Sequence, residues 1–179
     1  MKKNNYDVFL GGTTNDSTWR DIFILLMKNR NRKIKCFNPV VDNWTTDCIR
    51  IENMVKWKAK YHVYVLTPKM SGVYSIAEMI ESAHISSKKT IFFIKDEDKN
   101  IDEYNDVELI HWDPKMRNSL VAVSNLLKMH GAIQANSLEE IVKIISDDYG
   151  PIKNDKVISK AKVSIKSIMS KVSNFIKRK

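Results

Sequence analysis

The stretch HVYVLTPKMSGVYSIAEMIESAHISSKKTIFFI, His62 to Ile94, decides the fold. It opens with an apolar run, His62 to Leu66, rich in β-branched and aromatic residues and stopped by Thr67-Pro68. A polar loop with Ser71-Gly72 leads into Tyr74 to Ser86, whose apolar spacing predicts a helix. Thr90 to Ile94 (TIFFI) is a second apolar run with almost no polar interruption. Neither run alternates apolar with polar residues, so each strand must be covered on both faces. Strands of that kind, joined through a helix, belong to a parallel sheet with helices on either side.

The same unit recurs toward the N-terminus. Tyr6 to Leu10 (YDVFL) predicts a strand ending at Gly11-Gly12, followed by polar Thr13 to Asp16 and an apolar helical segment from Trp19 to Met27. Asp16 or Ser17 is positioned to cap that helix, and Lys28 and Arg30 suit the negative end of its dipole. Lys33 to Phe37 predicts another strand, stopped by Asn38-Pro39, and Thr46 to Lys60 a helix carrying Ile49, Met54, Val55 and Trp57.

Toward the C-terminus, Lys95 to Asp106 reads as a polar surface loop and Leu109 to Trp112 as a short fifth strand. Arg117 to Met129 is helical, Gly131 interrupts, and Ser137-Leu138-Glu139-Glu140 is a capping-box pattern opening a helix to about Asp147. Gly150-Pro151 then stops the domain. The expected architecture is α/β: an open, doubly wound, flavodoxin-like, mostly parallel sheet of about five strands over residues 1–150. A C-terminal basic amphipathic helix over 151–179 is appended to it.

Composition narrows the class. With 179 residues, 43% hydrophobic and 28% charged, the chain suits one globular domain with an appendage and not a disordered, collagenous or membrane-spanning protein. The polar start, Met1 to Tyr6, has no secretory pattern after it, so a cytoplasmic, reducing compartment is expected. Cys36 and Cys48 then read as small buried hydrophobes and not as a disulfide or metal pair. His62, His84, His111 and His130 show no metal-ligand spacing, and neither a metal nor a cofactor is expected. Trp19, Trp57 and Trp112 are assigned to the core.

In an open α/β sheet, ligands bind beyond the carboxyl ends of the strands, where the strand order switches. That rule selects the loops Gly11 to Asp16, Asn38 to Trp44 and Thr67 to Ser75. Gly11-Gly12 serves either a turn needing positive φ or close backbone approach to a ligand. It is neither a full dinucleotide fingerprint nor a P-loop, since the third glycine and the lysine are missing. Glu78 stands one turn into the helix after the third loop, on the spacing Ser71, Gly72, Ser75, Glu78. It is either a solvated helix glutamate or a carboxylate at the ligand edge, shielded by Ile76, Ala77, Met79 and Ile80 with its pKa raised. Glu81 reads as solvated.

The strings YDVFLGGTTNDSTWRDIFILL, FNP at Phe37 to Pro39 with Trp44 after it, and VYVLTPKMSGVYSIAEMIESA before KKTIFFI resemble the nucleoside 2-deoxyribosyltransferase-like superfamily over Tyr6 to Ile94. The resemblance implies cleavage or transfer at the N-glycosidic bond of a nucleoside or nucleotide, with Glu78 as nucleophile on the anomeric carbon. It further implies substrate contacts from Gly11, Gly12, Asn38, Trp44, Ser71, Gly72 and Ser75, the two serines lying where phosphate-using members bind their anion, and a homo-oligomer. Deoxyribosyltransferases of the group carry an aspartate six residues before the nucleophile, where this chain has Gly72, and the nucleotide-hydrolysing branch a serine. For the general acid, Asp16, Asp42 and Asp47 are open, with Asp16 preferred. The strings are also similar to the Toll/interleukin-receptor domain, whose enzymatic members cleave NAD. A non-catalytic nucleotide-binding or interaction module is the third reading.

The net charge of +9 is local: eight lysines and Arg178 against Asp155 give Lys153 to Lys179 +8 and leave +1 for the rest. Ile158, Ala161, Ile165, Ile168, Val172 and Phe175 form one apolar stripe through this tail. Docking on the domain, a second copy or a partner protein, binding to anionic membrane, and binding to nucleic acid are its three readings.

Overall fold

A computed structural model describes residues 5–41, 43, 45–85, 89–101 and 107–150. Asp42, Trp44 and the stripe of the basic tail lie outside the described residues.

Five strands form one parallel sheet: β1 (Val8–Gly12), β2 (Cys36–Phe37), β3 (Tyr61–Leu66), β4 (Lys89–Ile94) and β7 (Ile133–Gln134), in the order β2-β1-β3-β4-β7. The crossovers are α1 (Trp19–Arg30), α2 (Thr46–Lys58), α3 (Tyr74–His84) and α4 (Pro114–Met129), and α5 (Leu138–Asp148) closes the domain. The order switches at β1, whose register pairs Val8 with Tyr61 and Gly12 with Val65 on one side and Val8 with Cys36 on the other. This is the expected doubly wound, flavodoxin-like arrangement.

The uninterrupted apolar strands reflect two cores. Val8, Leu10, Val63, Val65 and Ile91 pack with Trp19, Phe23 and Met27 of α1 and Ile141, Val142 and Ile145 of α5. The alternate residues Phe9, Tyr64, Leu66 and Phe92 pack with Val55 of α2, Met79 and Ala83 of α3, and Leu120 and Leu127 of α4. Among the described residues no helix is long and apolar enough to cross a membrane.

Four expectations are corrected. The fifth sheet strand is the two-residue β7, reached after Gly131 (φ +81) ends α4. Leu109 instead lies in β6 (Val107–His111), antiparallel to β5 (Glu97–Ile101) in a separate hairpin, so part of the expected polar loop is strand. Helix α1 starts after Thr18 with no side-chain cap bond: Ser17 donates to Asp98 at 2.8 Å, and Asp16 adopts a left-handed φ of 48°. Trp57 is 71% exposed, because Val55 and Ala59 supply the buried face of α2, whereas Trp19 and Trp112 are buried as expected. Half of the capping box forms: the Ser137 hydroxyl accepts from the Glu140 amide at 3.1 Å, while the Glu140 carboxylate accepts at 2.8 Å from the amide of Asn136, one residue before the cap. Both cysteines are free and half-buried, and burial pushes the Cys36 thiol up to about 12.

Candidate active site

The strand ends at the switch point surround a cavity of about 490 Å³. One wall is the end of β1, where neither glycine has room for a side chain. A Cβ on Gly11 would lie 2.2 Å from the Tyr64 ring, and one on Gly12, at φ +113, 2.1 Å from the Val65 carbonyl oxygen. Glycine is required here because β1 presses against β3, and the bare backbone that results faces the cavity. Tyr64 is anchored in turn by Ser82, hydroxyl to hydroxyl at 2.8 Å, and burial pushes its phenol well above the ordinary range.

Arg20 fixes the exit of β1. From the first turn of α1 its buried guanidinium donates to the carbonyls of Leu10 (3.2 Å), Gly12 (3.0 Å) and Thr13 (2.6 Å). The Trp19 indole also donates to Thr13 O, at 2.9 Å. Burial lowers the Arg20 pKa to about 10 against the opposing charges of Glu52, Asp21 and Glu78, so the side chain stays cationic at neutral pH.

The loops after β1 and β3 are stitched together. Thr67 N donates to Thr13 Oγ1 at 2.9 Å, and the Asn15 amide reaches Lys69 O at 2.9 Å and Ser71 Oγ at 2.6 Å. Lys69 Nζ donates to Asp16 O at 3.1 Å, and Ser75 Oγ to Gly12 O at 3.2 Å. These bonds bring the head of α3 against the end of β1.

Glu78 lies on the cavity wall and is 9% exposed. Its Oε1 accepts from Lys56 Nζ at 3.3 Å, and the same ammonium donates to the exposed Glu81 at 2.7 Å. The carboxylate is therefore held by a lysine of α2 and not enclosed by its apolar sequence neighbours alone. Burial pulls the Lys56 pKa down, but the bond to Glu81 and the charge of Glu78 reverse this and leave it raised. Glu52, one turn earlier on α2, lines the same cavity half-buried. Burial, then the charge of Glu78, raises its pKa, only partly offset by Lys56 and Arg20.

Six of the residues picked from sequence thus meet around one cavity: Gly11, Gly12, Ser71, Gly72, Ser75 and Glu78. Asn38 stands off the lining, its side chain accepting from Val40 N at 3.1 Å, and Pro39, Val40 and Val41 take the wall in its place. Asp16 is exposed and off the lining, and Asp47 is exposed beside Arg50 at 3.5 Å. Sequence reasoning missed Arg20, Glu52 and Lys56. The available signal was the i, i+4 pair Glu52 and Lys56 beside the buried Val55 and Ala59. Among the described residues no group of three or more His, Cys, Asp or Glu side chains could hold a metal ion.

A family model described as nucleoside 2-deoxyribosyltransferase like matches residues 5–97, just over half of the chain. Among solved structures, a conserved protein from Enterococcus faecalis V583 is similar at 10% identity and a TM-score of 0.47, covering 80% of this chain and 99% of that one. No curated protein matches the chain.

Proposed function

We propose, for a chain that belongs to the nucleoside 2-deoxyribosyltransferase-like family, cleavage or transfer at the N-glycosidic bond of a nucleoside or nucleotide with Glu78 as nucleophile. The observation that carries this reading is the buried Glu78 carboxylate on the wall of the switch-point cavity, paired through Oε1 with Lys56. As the bond from the sugar to the base nitrogen breaks, the anomeric carbon becomes oxocarbenium-like and the carboxylate stabilises it. Collapse gives a glycosyl ester, which water opens in hydrolysis or a second base opens in transfer.

The surroundings suit such a substrate. Ser71, Ser75 and Asn15 gather at the N-terminus of α3, where free amides and hydroxyls favour a sugar hydroxyl or a phosphate. Val40, Val41 and the exposed Tyr74 supply apolar lining for the base. A non-catalytic nucleotide-binding module competes, favoured by Gly72 where deoxyribosyltransferases carry an aspartate. Exposed Ile51, Met54 and Trp57 on α2 support an assembly of copies in solution.

The test is incubation of wild type and Glu78→Ala with deoxynucleosides, their monophosphates and NAD, with released base read by chromatography. Wild-type release that falls roughly 10³-fold or more in Glu78→Ala supports the proposal. No release from any substrate by a folded wild type shifts the assignment to the binding module, and release from NAD alone shifts it to NAD cleavage.

A further inference from the structure

The β5–β6 hairpin pairs with no strand of the main sheet, and a two-stranded hairpin alone is marginal in water. Its root is fixed by two bonds: Lys95 N donates to Leu66 O at 2.9 Å, at the end of β3, and the Trp112 indole donates to Lys95 O at 2.7 Å. Asp98 of β5 is 7% exposed and off the cavity lining. Its Oδ2 accepts from Ser17 Oγ at 2.8 Å, and its Oδ1 from Lys95 Nζ at 3.1 Å and Lys99 N at 2.9 Å. The Thr67 hydroxyl also bonds to it. A carboxylate offers about four lone-pair sites, and these donors take them up, so Asp98 keeps none for a ligand. Burial pushes the carboxyl pKa up, but the bonds from Thr67, Ser17, Lys99 N and Lys95 outweigh burial and hold it below the ordinary range. Asp98 is therefore anionic at neutral pH, and its two hydroxyl partners must act as donors.

Those two partners belong to the ligand loops. Ser17 stands two residues before α1, at the end of the loop that follows β1, and Thr67 opens the loop after β3. With its proton given to Asp98, the Thr67 oxygen accepts from Lys69 N at 3.4 Å, while Thr67 N donates to Thr13 Oγ1 at 2.9 Å. Lys69 O in turn accepts from the Asn15 amide at 2.9 Å. Thr13 and Asn15 line the cavity. The buried carboxylate thus reaches the cavity wall through Thr67 and holds the head of α1 through Ser17.

We propose that Asp98 is a positioning residue for the candidate site: from the hairpin, its carboxylate locks the loops after β1 and β3 into the geometry that receives the substrate. This rests on the reading of the cavity proposed above. Asp98 directly follows residue 97, the last that the family model matches, so the lock is contributed from outside the matched segment.

The experiment compares wild type with Asp98→Ala, reading kcat and KM for base release from deoxynucleosides and their monophosphates, and amide hydrogen exchange residue by residue. Asp98→Ala is expected to raise KM about 10-fold and leave kcat within about 2-fold of wild type, because a competent loop geometry populated about a tenth of the time weakens apparent affinity by that fraction. The amides of Thr67 and Met70, bonded to Thr13 Oγ1 and Thr67 O, should lose most of their protection while those of β3 keep theirs. A general weakening of the fold would instead cut kcat with the folded fraction and leave KM alone. That result, or unchanged exchange in the loops, overturns the proposal while the Glu78 reading stands. If Asp98→Ala melts too early to assay, Ser17→Ala removes a single donor and must raise KM about 3-fold; an unmoved KM refutes the lock. A wild type that releases no base removes the Glu78 reading, and the comparison then passes to calorimetric Kd values for the monophosphates. Binding about 10-fold weaker in Asp98→Ala keeps the proposal; equal binding, or none by the wild type, ends it.

Discussion

The two edges of the sheet use their charged side chains in opposite ways. At the amino edge, Asp148 at the end of α5 accepts from Lys60 at 2.6 Å, Lys89 at 2.9 Å and the Tyr61 hydroxyl. Tyr149 donates to Asp7 at 3.0 Å and lies 4.8 Å beneath the Lys60 ammonium. Charge there is matched to charge, strand to helix, and the edge is closed. At the carboxyl edge Arg20, Glu52, Lys56 and Glu78 stand around an open cavity of about 490 Å³. A clasp brings opposite groups within hydrogen-bonding distance of each other; a site holds some of them short of that, leaving room for a ligand.

The comparison breaks first at its tightest point. Gly12→Ala forces a left-handed φ and a backbone clash with Val65, so strain and overpacking together should cost roughly 3–5 kcal/mol. Calorimetry should show a melting temperature about 10 °C lower; an unchanged one would mean that β1 and β3 are not so closely pressed. Next, Lys56→Met leaves Glu78 buried without its cation, for about 3 kcal/mol of stability, and base release should fall with it. Intact release would detach the lysine from the site.

Asp148→Asn tests the other edge. The bonds from Lys60, Tyr61 and Lys89 hold the Asp148 carboxyl below the ordinary carboxylate range. Its contribution is complete above the unfolded pKa, about 4, and is lost as pH falls through the lower folded value. The variant should melt earlier than wild type near pH 7, the gap closing in acid, with base release at neutral pH unaffected. A pH-independent gap would remove the ion pairs as its cause. The smallest effect is expected from Gly72→Asp. Nothing lies within 4 Å of a Cβ there, so stability should stay within about 0.5 kcal/mol, and a gain in deoxynucleoside turnover would show that the missing aspartate limits the reaction.

What was legible in the sequence follows from what each feature depends on. The runs of β1, β3 and β4 announce themselves because both faces are buried. The parallel connection then carries Gly11, Gly12, Ser71, Ser75 and Glu78 to one edge by topology alone. β7 has two residues, too few for any periodicity, and β5 reads Glu-Asp-Lys-Asn-Ile, whose polarity hides a hairpin. Arg20, Glu52 and Lys56 escaped because a helix side chain's direction depends on how the helix is rotated. On α2 the exposed Met54 and Trp57 gave a false phase, while Val55 and Ala59 set the true one.

The stitches between the first and third loops have a kinetic consequence. Thr13, Asn15 and Lys69 join segments more than 50 residues apart before any ligand arrives, so no ordering of these loops must precede capture. Association should then be a single bimolecular step, linear in ligand concentration in a stopped-flow trace, with discrimination between ligands expressed in how long each one stays.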